Sequence, residues 1–220
     1  MGTGHPDESH ENAVKNPRKG LLYPLLLVLA FGGGIGLAWS WQTWQRSAGT
    51  ENAVVVSGRG GDFELESGTG SFGLADLRGK VVLLYFGFTS CPDVCPTTLG
   101  NLRAAFERLT PQEQTQVQGL FISIDPERDT PEKADAYAHF FHAGLRGLSG
   151  TPEQIAKVAV QYGVLYRKVE TPDSALNYAM DHSSVIYVID RQGHLQQKLQ
   201  HGETPDEIVA AIRRYLGQGG

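Results

Sequence analysis

Cysteine is scarce in this chain, with two residues in 220, Cys91 and Cys95. A domain stapled by disulfides joins distant segments, and this sequence has no thiols placed to do that. Both stand in one stretch, FGFTSCPDVCPTTL, so they serve chemistry or metal binding. A structural zinc module is disfavoured too, since it asks for four protein ligands. Basic charge is also short: 19 Lys and Arg stand against 24 Asp and Glu, a net charge of −5, with the cations scattered. Nucleic acid is therefore not an expected partner. No internal repeat or low-complexity tract is visible.

Long apolar runs are missing, with one exception. LLYPLLLVLAFGGGIGLAWSW, Leu21 to Trp41, carries no charge, and about 20 apolar residues cross a bilayer core. Lys15, Arg18 and Lys19 precede it and only Arg46 follows closely, which puts the N-terminus in the cytoplasm. Trp39, Trp41 and Trp44 suit the far interface. A cleaved signal peptide has a shorter apolar core, about 7–15 residues, so a retained anchor is expected. The organisation that follows is a cytoplasmic tail over 1–20, a transmembrane helix over 21–41, a linker over 42–60, one domain over 61–216 and a short tail over 217–220. The domain faces the periplasm from a bacterial inner membrane, or the intermembrane space from a mitochondrial one.

Within the domain, VVLLYFGF (81–88), GLFISID (119–125) and SVIYVI (184–189) are continuous apolar runs, the pattern of strands buried on both faces. Helical spacing joins Leu99, Leu102, Phe106 and Leu109; Ile155, Val158, Ala159 and Tyr162; and Ile208, Ile212 and Tyr215. Thr130-Pro131, Thr151-Pro152 and Thr204-Pro205 read as helix starts, threonine capping and proline filling the first turn. Gln154 and Glu207 complete capping boxes. Phe63–Leu65 with SFGLADL predicts an opening hairpin, and Arg191-Gln192-Gly193 a turn into a strand over His194–Leu199. The expected fold is an α/β thioredoxin-like sandwich following an N-terminal transmembrane helix.

Pro92 and Pro96 disfavour helical backbone at the cysteines before them, which predicts a helix starting at Pro96 with Cys95 near its cap. Both sulfurs then sit at the C-terminal end of the 81–88 strand, where open α/β sheets bind ligands. A redox dithiol is one reading, although thioredoxin-type catalysts use CxxC and this is CxxxC. Two thiolates gripping one soft ion is the other; thiolates select copper(I), zinc or iron–sulfur centres. For a third ligand, His182 is the best placed of seven histidines, in the loop before a core strand, where many thioredoxin-like folds carry a cis-proline. Two thiolates and an imidazole suit trigonal copper(I), or copper(II) with one more ligand. Met180 reads as packing rather than as a soft ligand. Asp125, Arg128 and Asp129 in SIDPERDTP admit two readings, a capped turn or a surface that docks a partner and tunes charge near the metal. Tyr85, Phe86 and Phe88 read as core.

FGFTSCPDVCPTTL, SIDPERDTP and DHSSVIYVID, in that order, resemble the Sco/SenC family of membrane-anchored copper proteins, which serve assembly of the dinuclear copper centre of cytochrome c oxidase. The resemblance runs from Gly61 to Leu216 and takes in the anchor. It implies copper, as Cu(I) or Cu(II), held by Cys91, Cys95 and His182. The partners it implies are the oxidase subunit that carries the copper centre and another copper donor or thiol reductase protein, with the membrane engaged through 21–41. It favours a metallochaperone over an enzyme. The alternative is a thiol–disulfide reductase that keeps the acceptor's copper-ligand cysteines reduced. A peroxiredoxin-like peroxidase fits poorly, because no arginine lies close in sequence to Thr89 and the thiols.

Overall fold

The structure, a computed structural model, describes residues 58–171 and 177–217. The expected tail, the Leu21–Trp41 span and the linker up to residue 57 lie outside the described residues. Among the described residues, no helix is long and apolar enough to cross a membrane.

Strand β1 (Glu64–Ser67) and β2 (Gly70–Gly73) form the opening hairpin. The central sheet follows, built from β3 (Val81–Gly87), β4 (Val117–Ser123), β5 (Leu145–Leu148), β8 (Val185–Ile189) and β9 (Leu195–Gln200) in the order β5-β4-β3-β8-β9. β3 runs parallel to β4, and β4 to β5, while β8 and β9 are antiparallel. Every position of β3 is buried, as its unbroken apolar run predicts for the middle of a covered sheet. Its side chains alternate between faces. Tyr85 points toward Phe121 and Cys95, whereas Phe86 meets Tyr162 and Tyr187. This mixed five-stranded sheet with helices against it is the thioredoxin-like α/β arrangement expected.

A 3-10 helix (Leu74–Leu77) and five α-helices complete the domain among the described residues: α1 (Val94–Glu107), α2 (Pro111–Gln114), α3 (Pro131–Phe141), α4 (Pro152–Tyr162) and α5 (Pro205–Leu216). The three expected apolar stripes are all buried. Thr130, Thr151 and Thr204 each accept a backbone N–H three residues on, and Gln154 and Glu207 close their boxes. Thr110-Pro111 with Glu113 is the same device at the start of α2, legible in the sequence and passed over because a single turn has no apolar stripe.

Two expectations need correction. Helix α1 starts at Val94, two residues before Pro96. Pro96 is its third residue, where the missing N–H is one of the four that no helical carbonyl would receive, and the carbonyl four back lies outside the helix. The second concerns β5, β6 (Tyr166–Glu170) and β7 (Tyr178–His182), which the apolar-run reading missed. β5 is four residues containing Arg146 and Gly147, while β6 and β7 pair as an outlying two-stranded ribbon with charged residues on them. His182 is thus the last residue of a strand rather than part of a loop, and among the described residues no peptide bond is cis.

Glycine permits one close contact that the fold needs. A Cβ on Gly147 would lie 1.9 Å from the Ala134 carbonyl oxygen, so α3 rests directly on β5. Gly147→Ala should cost about 3 kcal/mol, the upper range for overpacking, read as a lowered urea midpoint. Gly100→Ala in α1 has nothing within 4 Å of the new methyl and should instead gain about 0.5–1 kcal/mol. Equal midpoints for the two variants would refute this account.

Candidate metal centre

The site forms where β3 hands over to α1. After Gly87 the chain turns through Phe88, Thr89 and Ser90, and the Cys91 N–H donates to the Phe88 carbonyl at 3.3 Å. Asp93 stands at the N-cap of α1 but gives no side-chain cap. The Cys91 sulfur takes that place, accepting the Cys95 N–H at 3.5 Å. A helix N-terminus favours negative charge, so this position suits a thiolate.

Cys95, inside the first turn, is fully buried. Its sulfur lies against the Gly87 backbone so closely that a Cβ there would come within 2.8 Å of it. The Tyr85 hydroxyl donates to the same sulfur at 3.6 Å. Burial, with the Cys95 sulfur beside it, pushes the Tyr85 phenol well above its ordinary range, keeping it a donor.

His182 enters from β7, opposite Tyr166 of β6. Its ring sits edge-on between Tyr85 and Phe88, with centroids 6.3 and 5.9 Å away. Nδ1 is 3.1 Å from the Ser183 carbonyl, which can only accept, so Nδ1 carries the ring proton. In the neutral ring Nε2 is then left with its lone pair, 3.7 Å from the Cys95 sulfur. An ion with bonds of about 2.3 Å to sulfur and 2.0 Å to nitrogen, subtending about 110–120°, separates the two atoms by about 3.5–3.7 Å. The spacing fits.

Cys91 completes the group. Its thiol is shifted far below the ordinary range, chiefly because the Cys95 thiol donates to its sulfur. Partial burial opposes the shift, and the N–H groups of Cys95 and Asp93 add to it. The same hydrogen bond, with full burial, pushes the Cys95 thiol up. Of this coupled pair, Cys91 is the thiolate and Cys95 holds the proton. The three donors stand at hydrogen-bonding separations; among the described residues no three His, Cys, Asp or Glu side chains are gathered closely enough to enclose an ion as they stand.

The Ser123–Pro131 loop lies beside the site with its two aspartates turned inward: Asp125 is 3% exposed and Asp129 1%. Thr130, not Asp129, caps α3. Asp129 accepts from the Thr89 N–H, the Thr89 and Ser123 hydroxyls and the Lys133 ammonium. Burial alone would raise its carboxyl, but these donors outweigh it and hold the group below the usual range. Arg128 pairs with Asp125 and lies over the Tyr178 ring, 3.7 Å from its centroid. Tyr178 escaped the sequence reading, as no apolar pattern marks β7.

The remaining candidates fall elsewhere. Met180 packs partly buried against the core. His139 pairs with Asp135, His142 stacks on Phe106, and His194 pairs with Asp190. His201 is exposed and hydrogen-bonded to Thr98. His5 and His10 lie outside the described residues. The Thr89 hydroxyl is committed to Asp129 and the Arg128 guanidinium to Asp125 and Tyr178, so neither is set to cradle a peroxide.

Comparison with known proteins adds three relatives. At 36% identity over 207 residues, the chain is similar to the mitochondrial protein SCO2 homolog of Mus musculus, matching 90% of this chain and 80% of that one. It aligns with Bradyrhizobium japonicum ScoI, a structure with copper bound, at a TM-score of 0.65 and 41% identity, over 72% of this chain and 99% of that one. The solution structure of apo Sco1 from Thermus thermophilus gives a TM-score of 0.65 at 43% identity, over 71% and 91% of the two chains. The SCO1/SenC family model matches residues 55–217, the whole of the described domain, and the chain belongs to that family.

Proposed function

We propose that this protein is a membrane-anchored copper metallochaperone. It binds one copper ion as cargo through Cys91, Cys95 and His182 and delivers it to the copper-centre subunit of cytochrome c oxidase. The observation that carries the reading is the His182 Nε2 lone pair directed at the Cys95 sulfur at 3.7 Å, with Nδ1 committed to Ser183. Two sulfurs and an imidazole are the donor set that soft copper prefers, and copper-bound relatives of this fold support the choice. The uncharged apolar run over 21–41 and the basic residues before it support an anchor with the domain in the periplasm, or in the intermembrane space in a mitochondrial setting.

The two thiols differ in a way that suits handover. Cys91 is partly exposed on a loop, while Cys95 is sealed in the first turn of α1. An acceptor thiolate reaches copper from the Cys91 side, replaces that sulfur first, and takes the ion from Cys95 last. No step releases the ion to water.

His182→Ala in the reduced full-length chain should lower copper affinity at least about 100-fold, since losing even an outer partner of a metal ligand typically costs 10–100-fold. Competition titration against a copper(I) chelator measures it, and an unchanged affinity removes the histidine from the site.

A second reading rests on the same asymmetry. In a thiol–disulfide reductase, the Cys91 thiolate attacks one sulfur of a disulfide joining the acceptor's copper-ligand cysteines, forming a mixed disulfide and releasing one acceptor thiolate. Cys95 then attacks the Cys91 sulfur, leaving a Cys91–Cys95 disulfide and releasing the second acceptor thiol, two electrons having moved. If oxidase assembly survives His182→Ala yet is abolished by Cys91→Ala or Cys95→Ala, this reading displaces the first.

Alkylation by iodoacetamide should separate the thiols. An unperturbed thiol loses about tenfold in rate per pH unit below about 8.5. The lowered Cys91 stays thiolate through neutral pH, so its rate should hold level from pH 8 down to about 6, while Cys95 reacts far more slowly. Mass-spectrometric mapping reads both, and a Cys91 rate falling tenfold per unit from pH 8 would contradict the assignment.

A further inference from the structure

The donors come from two separate parts of the fold. Cys91 and Cys95 belong to the β3–α1 junction, whereas His182 belongs to the β6–β7 ribbon. That ribbon is a sheet of its own, and among the described residues its two strands pair only with each other. A lone two-stranded ribbon is marginally stable in water, so its position relative to the cysteines has to be imposed from outside.

The Ser123–Pro131 loop touches both parts. At one end, Asp129 accepts the Thr89 N–H at 2.8 Å and the Thr89 hydroxyl at 2.5 Å, two residues before Cys91. Asp129 is itself fixed by the Ser123 hydroxyl at 2.7 Å and the Lys133 ammonium at 2.9 Å. At the other end, Asp125 accepts the Tyr178 hydroxyl at 2.8 Å, and Arg128 donates to the Tyr178 carbonyl at 3.0 Å. Tyr178 opens β7, the strand that His182 ends. The Arg128 guanidinium lies over the Tyr178 ring, and the Lys168 ammonium sits 3.8 Å from that ring's centroid. Lys168 belongs to β6 and pairs with Glu127 of the loop at 2.9 Å, so both strands of the ribbon are held. The two grips share one backbone turn, because the Arg128 and Asp129 N–H groups both donate to the Asp125 carbonyl.

We propose that the Ser123–Pro131 loop is a clamp that sets the spacing between the cysteine pair and His182, with Asp129 holding Thr89 and Asp125 and Arg128 holding Tyr178. This rests on the three-donor reading above for its consequence to metal, and on the hydrogen bonds alone for its mechanics. Burial is the reason for choosing a clamp over a partner-docking surface. Two nearly inaccessible carboxylates, each met by several donors, are not offered to another protein. The residues of the clamp are positioning residues, since none belongs to the donor set itself.

The test uses the full-length chain and one variant at each grip. Tyr178→Phe removes the hydroxyl to Asp125 and leaves the ring beneath Arg128. Thr89→Val removes the hydroxyl to Asp129; it replaces Asp129→Asn, which strips charge from a buried centre and can fail to fold. In the metal-free reduced protein, hydrogen exchange should quicken about tenfold at the β6–β7 amides in Tyr178→Phe, with the Thr89 amide unchanged. The reverse pattern is expected in Thr89→Val. With copper(II) added, Tyr178→Phe should weaken the nitrogen hyperfine lines of the electron paramagnetic resonance spectrum and keep the sulfur-to-copper charge-transfer band, while Thr89→Val should shift that band and keep the hyperfine lines. A loss of stability alone moves both signatures together, so parallel changes in the two variants, or no change in either, overturn the clamp. His182→Ala serves as the control. If it keeps the nitrogen hyperfine lines, the three-donor reading falls, and the exchange pattern still decides the clamp.

Discussion

The burial of one sulfur organises this domain's chemistry. Cys95 lies in the first turn of a helix that begins where the most buried strand ends, and its side chain fills the space that Gly87 leaves open. The hydrogen bond from the Cys95 thiol to the Cys91 sulfur, with full burial of Cys95 added to it, keeps the proton on Cys95 and leaves the negative charge to Cys91. Cys91 can bear it because the helix N-terminus and the Cys95 N–H point at its sulfur. Two chemically identical residues four positions apart thus become unlike: one protonated and interior, one ionised and reachable.

The aromatic residues around them do more than fill volume. Tyr85 and Phe88 flank the His182 ring, and Tyr85 also donates to Cys95, so one side chain touches both the sulfur and the imidazole. The ring is further oriented by the Ser183 carbonyl, which fixes its tautomer and leaves Nε2 free to donate a lone pair. On the proposed copper-binding role, an apolar wall with a few aimed polar groups would keep competing water off a soft ion while leaving the donors their geometry. Of the two sulfurs, the partly exposed Cys91 is the one an outside thiolate can reach.

Much of this was legible in the sequence because the responsible signals are local. The buried strands read as apolar runs, the helices as stripes with Thr-Pro starts, and the cysteine motif as a spacing at a strand's end. The position of the α1 start was misjudged because Pro96 was weighed as a helix breaker, although a proline in the first turn gives up a hydrogen bond no helix would make. The β6–β7 ribbon was missed for a deeper reason. Strands such as Tyr166–Glu170, largely exposed and charged, carry no alternation to detect, and their existence depends on contacts with a loop some 40 residues earlier in the chain. The acids of that loop were ambiguous for the same reason: nothing in SIDPERDTP tells whether Asp125 and Asp129 face water or Tyr178 and Thr89.

The three side chains sit on elements integrated into the fold to different degrees, and that ordering follows from how each is built. Cys95 is part of a helix packed into the core. Cys91 belongs to a short irregular loop tied down at Phe88 and by its own sulfur. His182 rides on a ribbon that shares no ladder with the central sheet. A carrier has to hold its cargo against water and yield it to a partner, and three equally rigid ligands would satisfy only the first demand. If the protein carries copper as proposed, placing the interior sulfur on the core helix and the imidazole on the least integrated element would let the ion remain bonded to Cys95 while the other contacts are exchanged. On the proposed carrier role, metal retention would be governed by packing around Gly87, and metal release by the less integrated elements.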